Sequence, residues 1–321
     1  MDEFKNHTKL QKIRIKVSNI KIKSQYLQFG LIHRIQRKMH FALYGRHFGP
    51  DAEKRIKILL DHLSEKGARV SWCQAPCRTL PEDVDIFLSL GGDGTFLNSL
   101  TMVRDSGIPV AGINFGRLGF LTSAGSDDSG CAVLDRMMQG AYSVEKRSLI
   151  EVSYSGAPED FYPFALNEVS IQKKDPYMIG IEVRIDGMSI PTYWADGLLI
   201  ATATGSTAYS LSFGGPVVVP DSSVFIVTPM APHNLNVRPL IVPDTSEIEI
   251  VLKTEGHPAL LSADNRSVDV DGGRVIKIRK AGFSLSCVSF GRNSFFEALH
   301  EKLLWGEDRR NDRCRPGLKE Q

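Results

Sequence analysis

The sequence predicts two unlike parts: an N-terminal α/β domain on a mainly parallel sheet and a β-rich C-terminal domain. Three observations carry this. From Met39 to about Ala141, short apolar runs alternate with helical patterns, as parallel strands joined by right-handed crossovers require. From there to about Phe290, short strands with two-residue alternation dominate,. The chain has 321 residues, enough for one large or two modest domains.

Taken in order, His40 to Tyr44 is an apolar run ended by Gly45, a first strand. Pro50-Asp51 opens a helix with Ile56, Leu59, Leu60 and Leu63 at i, i+3, i+4 and i+7, and Gly67 closes it,. Ala68 to Trp72 and Val84 to Leu90 read as the next strands, the latter running into Gly91-Gly92-Asp93-Gly94. Thr95 to Arg104 is helical, Ile108 to Ile113 a strand, and Asp128 to Gln139 a weaker helix with Met137-Met138 in its core. In the second part, Ile179, Ile181, Val183 and Ile185 alternate with polar residues up to the turn Asp186-Gly187. Val268 and Val270, the turn Asp271-Gly272, and Val275 to Ile278 read as another hairpin,. Lys173-Lys174-Asp175 reads as a solvated hairpin tip. A last helix, Asn293 to Trp305, carries Phe296, Leu299 and Leu303 on one face. The expected divisions are 1–38, a basic extension; 39–142, the α/β domain; 143–290, the β-rich domain; 291–306, the C-terminal helix; and 307–321, a charged tail.

Composition narrows the function classes. Hydrophobic residues are 42% and charged residues 24% of the chain, which argues against wholesale disorder. No apolar run approaches the ~18 residues of a spanning helix. The formal charge of +2 averages two unlike stretches. Residues 1–38 hold ten Lys and Arg against Asp2 and Glu3, a formal +8, whereas the rest holds 29 basic and 35 acidic residues, a formal −6. An acidic body is a poor nucleic-acid surface. Five cysteines, Cys73, Cys77, Cys131, Cys287 and Cys314, form neither a disulfide framework nor a zinc set. A secretory h-region is missing, so the expected location is intracellular and cytoplasmic.

The sharpest chemical feature is Leu90-Gly91-Gly92-Asp93-Gly94-Thr95-Phe96-Leu97 at a strand-to-helix junction. Glycines permit a tight turn and close backbone approach to a ligand, and amides at a helix start suit phosphate oxygens. A carboxylate there repels phosphate unless it handles a proton or holds Mg²⁺. Taken alone, the four residues read as a structural turn. No Walker lysine motif and no Gly-x-Gly-x-x-Gly is present,. The second feature runs from Asp196 to Pro216 and is dense in small and hydroxylic residues around Tyr209. Such a segment can offer hydroxyls, amides and a stacking ring to a polar ligand. Asn167-Glu168 is a third, weaker candidate.

Together these segments resemble the NAD kinase family, over roughly Phe41 to Trp305. The Gly91-Gly92-Asp93-Gly94-Thr95 loop is shared with a wider superfamily that includes lipid kinases. More selective are Asn114-Phe115-Gly116-Arg117-Leu118-Gly119-Phe120-Leu121, Asn167-Glu168, and Thr204-Gly205-Ser206-Thr207-Ala208-Tyr209 with Gly214-Gly215-Pro216. Ala231-Pro232-His233 and Arg238-Pro239-Leu240 look like the family's next stretch. Two positions depart from it: Ala203 stands where the family has Pro, and Asn265-Arg266 where relatives often have Gln.

The resemblance implies transfer of the terminal phosphoryl group of ATP, or another donor, to the 2′-hydroxyl of the adenosine ribose of NAD. It implies Asp93 as the residue that takes or orients the hydroxyl proton, and Gly91, Gly92, Gly94 and Thr95 as the phosphate loop. Asn167 and Glu168 would hold adenine and ribose. Thr207, Ala208, Tyr209, Ser210, Leu211 and Ser212 would line that pocket, and Phe120 would flank it. Asp196 would contact the nicotinamide half, in some relatives from a neighbouring subunit. Further expectations are Mg²⁺ or another divalent cation with no ligands assigned, a homo-oligomer (dimer or tetramer), the last helix packed back on the N-terminal domain, and no nucleic-acid or membrane partner. A lipid kinase with the same glycine loop, or a catalytically silent dinucleotide-binding regulator, are the alternatives. Residues 1–38 lie outside the resemblance, and the reading preferred for them is an upstream extension from a misassigned start, with Met39 the true first residue.

Overall fold

The computed structural model describes residues 38–46, 48–74, 80–115, 119–122, 130–254, 256–291 and 293–304. The basic stretch up to residue 37, Cys77, Cys314, Gly116 to Leu118, the Asp128 start of the third helix, Trp305 and the charged tail lie outside them. The predicted alternation is present: β1 (His40–Gly45), α1 (Pro50–Glu65), β2 (Arg69–Trp72), β3 (Ile86–Leu90), α2 (Asp93–Val103), β4 (Val110–Ile113) and α3 (Cys131–Met138). Then follow β5 (Ser143–Arg147), β6 (Ile150–Ser153), β7 (Phe164–Ala165), β8 (Glu168–Lys173), β9 (Ile179–Ile185), β10 (Met188–Ala195) and β11 (Gly197–Thr202). A 3-10 turn, Thr204–Thr207, leads into the single helical turn α4 (Tyr209–Ser212). The chain ends with β12 (Val224–Met230), β13 (Leu240–Pro243), β14 (Ile248–Lys253), β15 (Ala259–Ala263), β16 (Arg266–Val270), β17 (Val275–Lys280), β18 (Leu285–Ser289) and α5 (Asn293–Leu303).

Among the described residues the strands form three six-stranded sheets. The first has the order β2-β1-β3-β4-β18-β5, parallel from β2 through β18 and antiparallel only at β5. Its central strands β1, β3 and β4 are buried on both faces, as a sheet covered by helices requires,. Ile56, Leu59 and Leu63 of α1 and Leu134 and Met137 of α3 cover one face. Phe96, Leu100 and Val103 of α2 cover the other.

The other two sheets, β10-β9-β14-β17-β6-β7 and β13-β12-β11-β8-β15-β16, pack face to face. Ile181, Val183, Ile250 and Ile276 from one meet Ile171, Leu198, Ile200 and Leu261 from the other, which is the alternation of a β-sandwich core. Strand β11 is buried on both faces, because Phe213 and Val218 cover Leu199 and Ala201 on its outer side.

The structure departs from the sequence expectation in three places. Strands β5 and β18, expected in the β-rich domain, pair into the first sheet, so the chain returns to its N-terminal part before α5. The expected hairpin across Asp271-Gly272 is absent: β16 pairs with β15, and β17 with β14 and β6 in the opposite sheet. Apolar faces on both sides of that turn each join a different sheet of the sandwich, and this outweighs the local turn signal. Lys173 to Asp175 is likewise a corner between sheets. Ion pairs lace it: Lys173 with Asp196, Lys174 with Asp269, and Asp175 with His257.

One apolar cluster runs through both parts. Tyr44, Phe87 and Phe96 of the α/β part share it with Leu149, Leu166, Phe164 and Phe283. The seam above this cluster is where the candidate residues gather.

Candidate functional site

Asp93 is the first residue of α2, with Gly92 as its N-cap, at the carboxyl end of a central parallel strand where such sheets place ligands. Its carboxylate accepts the Phe120 amide at 3.1 Å and the Leu121 amide at 3.2 Å. Lys302 from α5 meets it at 3.2 Å. The turn before it depends on Gly91, whose φ is +144° and whose absent Cβ would strike the Thr95 side chain at 2.6 Å. A Cβ at Gly119 would collide with the Asp93 carboxylate itself. The Gly91 amide bonds Ile113, and those of Thr95 and Phe96 bond Gly92. Among the described residues, the amides of Gly92, Asp93 and Gly94 have no backbone acceptor, and these are the donors left for a phosphate.

Asn167 and Glu168 lie where β7 turns into β8, and a buried residue the sequence reading passed over fixes them. Asp264, in the β15–β16 turn at φ +51°, accepts the amides of Leu166, Asn167 and Glu168 at 2.9, 2.8 and 3.3 Å. Arg266 lies 3.7 Å from Asp264 and also donates to the Phe164 carbonyl. The adjacent Asn265 donates to Asn98 of α2 at 2.8 Å, and Asn98 donates to the Gly94 carbonyl at 3.2 Å. A single turn therefore ties the Asp93 helix to the Asn167-Glu168 segment.

The small-residue segment reaches the same place. The Tyr209 amide donates to the Glu168 carboxyl, and the Thr202 hydroxyl donates to the Leu166 carbonyl at 2.6 Å. Ala203 has φ −56°, close to the angle a proline ring imposes, so the family's proline and this alanine suit one backbone. Thr207, Ala208 and Leu211 are half-buried, and Tyr209 and Ser212 are exposed, Tyr209 packing edge-on against Phe213. Ser210 turns inward: it is fully buried, and its hydroxyl pairs with that of Thr228. Asp196 is elsewhere. It precedes β11 beside Lys173, at the opposite end of β8 from Glu168, five residues or about 17 Å along the strand.

Comparison with known proteins settles what this arrangement belongs to. Residues 15–142 match the ATP-NAD kinase N-terminal domain, and residues 166–290 the ATP-NAD kinase C-terminal domain. The chain belongs to the NAD kinase family. The NAD kinase of Bacteroides fragilis is 37% identical over 290 residues, covering 85% of this chain and all of that protein. That of Flavobacterium psychrophilum is 40% identical over 237 residues, covering 73% and 80%. The crystal structure of yeast NADH kinase complexed with NADH superposes with a TM-score of 0.75 at 25% identity, over 85% of this chain and 90% of that one. The NAD kinase of Archaeoglobus fulgidus in complex with ATP gives 0.69 at 32% identity, over 83% and 99%. Neither the lipid kinase nor the silent regulator is favoured beside these matches. The N-terminal match starts at residue 15, inside the basic segment, so the likeness to the NAD kinase family begins earlier than Met39.

Two carboxyls at the seam, Glu168 and Asp264, are held above the ordinary carboxylate range. Burial, reinforced by the Asp264 carboxyl, pushes Glu168 up to about 8, against the opposing Tyr209 amide. Burial also raises Asp264, opposed by Arg266 and the three amides. One Glu168 carboxyl oxygen is buried without a partner. Between pH 4.5 and about 8 the folded chain holds a proton on Glu168 that the unfolded chain has lost. Stability should therefore fall as pH rises through that window, by up to ~1.4 kcal/mol per pH unit from this group. Glu168→Gln should abolish that slope. Urea midpoints at pH 5 and pH 8 should show wild type losing ground to the variant, and parallel curves would refute the shift.

Asp264, Asn98 and Lys302 escaped the sequence reading of the candidate site, and Asn265, singled out there beside Arg266, was given no partner. Asp264 carried a faint signal, being an acidic residue in a turn between two apolar strands. Asn98 and Lys302 carried none, since each acts on a residue far away in the chain.

Proposed function

We propose that the chain transfers the terminal phosphoryl group of ATP to the 2′-hydroxyl of the adenosine ribose of NAD, with Asp93 as the proton acceptor. The observation that carries this is a carboxylate fixed by two amides at the head of α2, beside amides free to meet phosphate. The hydroxyl oxygen attacks the terminal phosphorus, the bridging P–O bond breaks, and ADP leaves with the bond electrons. The hydroxyl proton passes to Asp93. Alignment and charge neutralisation are the main requirements of such a transfer.

Asn167, Glu168, Phe120 and the segment Thr207 to Ser212 supply the adenosine pocket in this reading, with Ser210 acting through its backbone. Asp196 lies too far along the sheet to join them within one chain, so a neighbouring copy would bring it, as a homo-oligomer allows. Among the described residues no three acidic, His or Cys side chains cluster. Asp93 beside phosphate-facing amides suits a hard cation held mostly by phosphate oxygens and water, with one protein carboxylate. Such a cation, when bound, neutralises charge on the transferring group. The chain's own described helices include none long and apolar enough to cross a membrane.

The deciding experiment is the reaction itself. Purified protein with NAD, ATP and MgCl₂ should yield NADP and ADP in equal amounts. The same assay with NADH, other triphosphates and polyphosphate ranks acceptors and donors. Absence of NADP under all donors would overturn the reading.

A further inference from the structure

The C-terminal helix α5 carries a cation into the site. Phe295 packs against Phe120 with ring centroids 6.3 Å apart. About two turns further on, the Lys302 ammonium lies 4.8 Å from the Phe120 ring centroid and 3.2 Å from the Asp93 carboxylate. Both partners of the ion pair are about 30% exposed, so solvent screens the pair and it is readily exchanged.

Apart from a cation that would arrive with the phosphates, the chain's own groups next to Lys302 supply little positive charge. The glycine loop offers amides only, and Asp93 repels an incoming triphosphate. A base must come within ~2.6–3.2 Å of the hydroxyl oxygen, and reacting atoms approach to ~3–3.5 Å. The phosphorus therefore passes within about 6–7 Å of the Asp93 oxygen that Lys302 now touches. The ammonium is already inside that radius, on a flexible four-carbon stem.

We propose that Lys302 is a further catalytic residue of the phosphoryl transfer: it leaves Asp93 for the donor's terminal phosphate as the triphosphate binds. The exchange does two things at once. It places a cation on the group whose charge rises during transfer, and it frees a lone pair of Asp93 for the hydroxyl proton. Lys302 itself gives up no proton. Until that exchange the ion pair holds both groups in place. This inference rests on the phosphoryl-transfer reading above.

The test uses the full chain as wild type, Lys302→Met and Lys302→Arg. Direct titration with a non-hydrolysable ATP analogue and, separately, with NAD divides the two sites, and steady-state NADP formation gives kcat and KM. Lys302→Met should lose about 10²-fold in kcat/KM for ATP, as removal of one transition-state donor does. Its affinity for the analogue should fall about tenfold, the value of one charge-assisted hydrogen bond, while NAD affinity stays within about twofold. Lys302→Arg should recover most of the activity. Unchanged kinetics, or faster turnover in Lys302→Met, would overturn the proposal, the latter by making the contact a restraint. A parallel fall in analogue affinity, NAD affinity and melting temperature would also overturn it, by reducing Lys302 to a structural role. Wild-type protein that makes no NADP would instead overturn the reading beneath it.

Discussion

Asp93→Asn should lower turnover by about 10²–10⁴-fold while NAD binds within a few-fold of wild type. The substitution keeps the shape of the side chain and removes its capacity to accept a proton. In the structure both carboxylate oxygens are already acceptors, one from Leu121 and the other from Phe120 and Lys302. An amide can satisfy only one side of that arrangement, because its NH₂ would face a donor. Some loosening of the Gly119–Thr122 segment should follow, and with it of Phe120. The main loss nevertheless belongs in kcat, since Asn167, Glu168 and Tyr209 of the proposed adenosine pocket are held by the Asp264 turn and the Tyr209 amide and not by the Asp93 carboxylate. Single-turnover NADP formation alongside an NAD titration separates these effects. A fully active variant would remove Asp93 from the chemistry. A variant that fails to bind NAD would make it a pocket residue instead.

How far the sequence reveals this site depends on the range over which each feature acts. The Gly91 to Thr95 loop was legible because its geometry is local: a strand end, a glycine at φ +144°, and a helix start within a few residues. The Asn167-Glu168 pair and the Thr204 to Ser212 segment were legible as motifs, but not the Tyr209 amide that joins them. Lys302 is 209 residues from Asp93 and Asp264 is 97 from Asn167, separations at which no local pattern can speak. The fold shows the same division. Strands and helices in the first part followed periodicity almost residue by residue, because each buries a face against its neighbours in the chain. Sheet membership in the second part did not. The turn at Asp271-Gly272 has the chemistry of a hairpin, yet it carries the chain from one layer of the sandwich to the other. In α5 the periodicity placed Phe296, Leu299 and Leu303 on one face; Leu299 is buried as expected, together with Ala298, whereas Phe296 is 54% exposed. The docking of Phe295 on Phe120 sets that rotation.

Asp264→Ala should be the most damaging change outside the loop, costing about 3–5 kcal/mol of stability. Three amides, of Leu166, Asn167 and Glu168, would lose their acceptor in a dry turn, and unpaired buried donors are expensive. Arg266 would lose its counter-ion while remaining largely buried against the Tyr162 ring, 5.6 Å from its centroid. A buried cation without a partner accounts for much of the expected loss, which gives a way to separate the two contributions. Arg266→Met should be milder than Asp264→Ala, because the amides keep their acceptor. The double variant should be less destabilised than the two single changes added together, by ~1–3 kcal/mol, since it leaves no orphaned charge. Urea unfolding of the four proteins measures this directly, and strict additivity would show that Asp264 and Arg266 are not energetically paired. What the double variant should not recover is the substrate site: with Asn167 and Glu168 no longer held by their amides, KM for NAD should stay raised by tenfold or more. A double variant restored in stability but not in NAD affinity would assign Asp264 to the binding turn, beyond any general service to the fold.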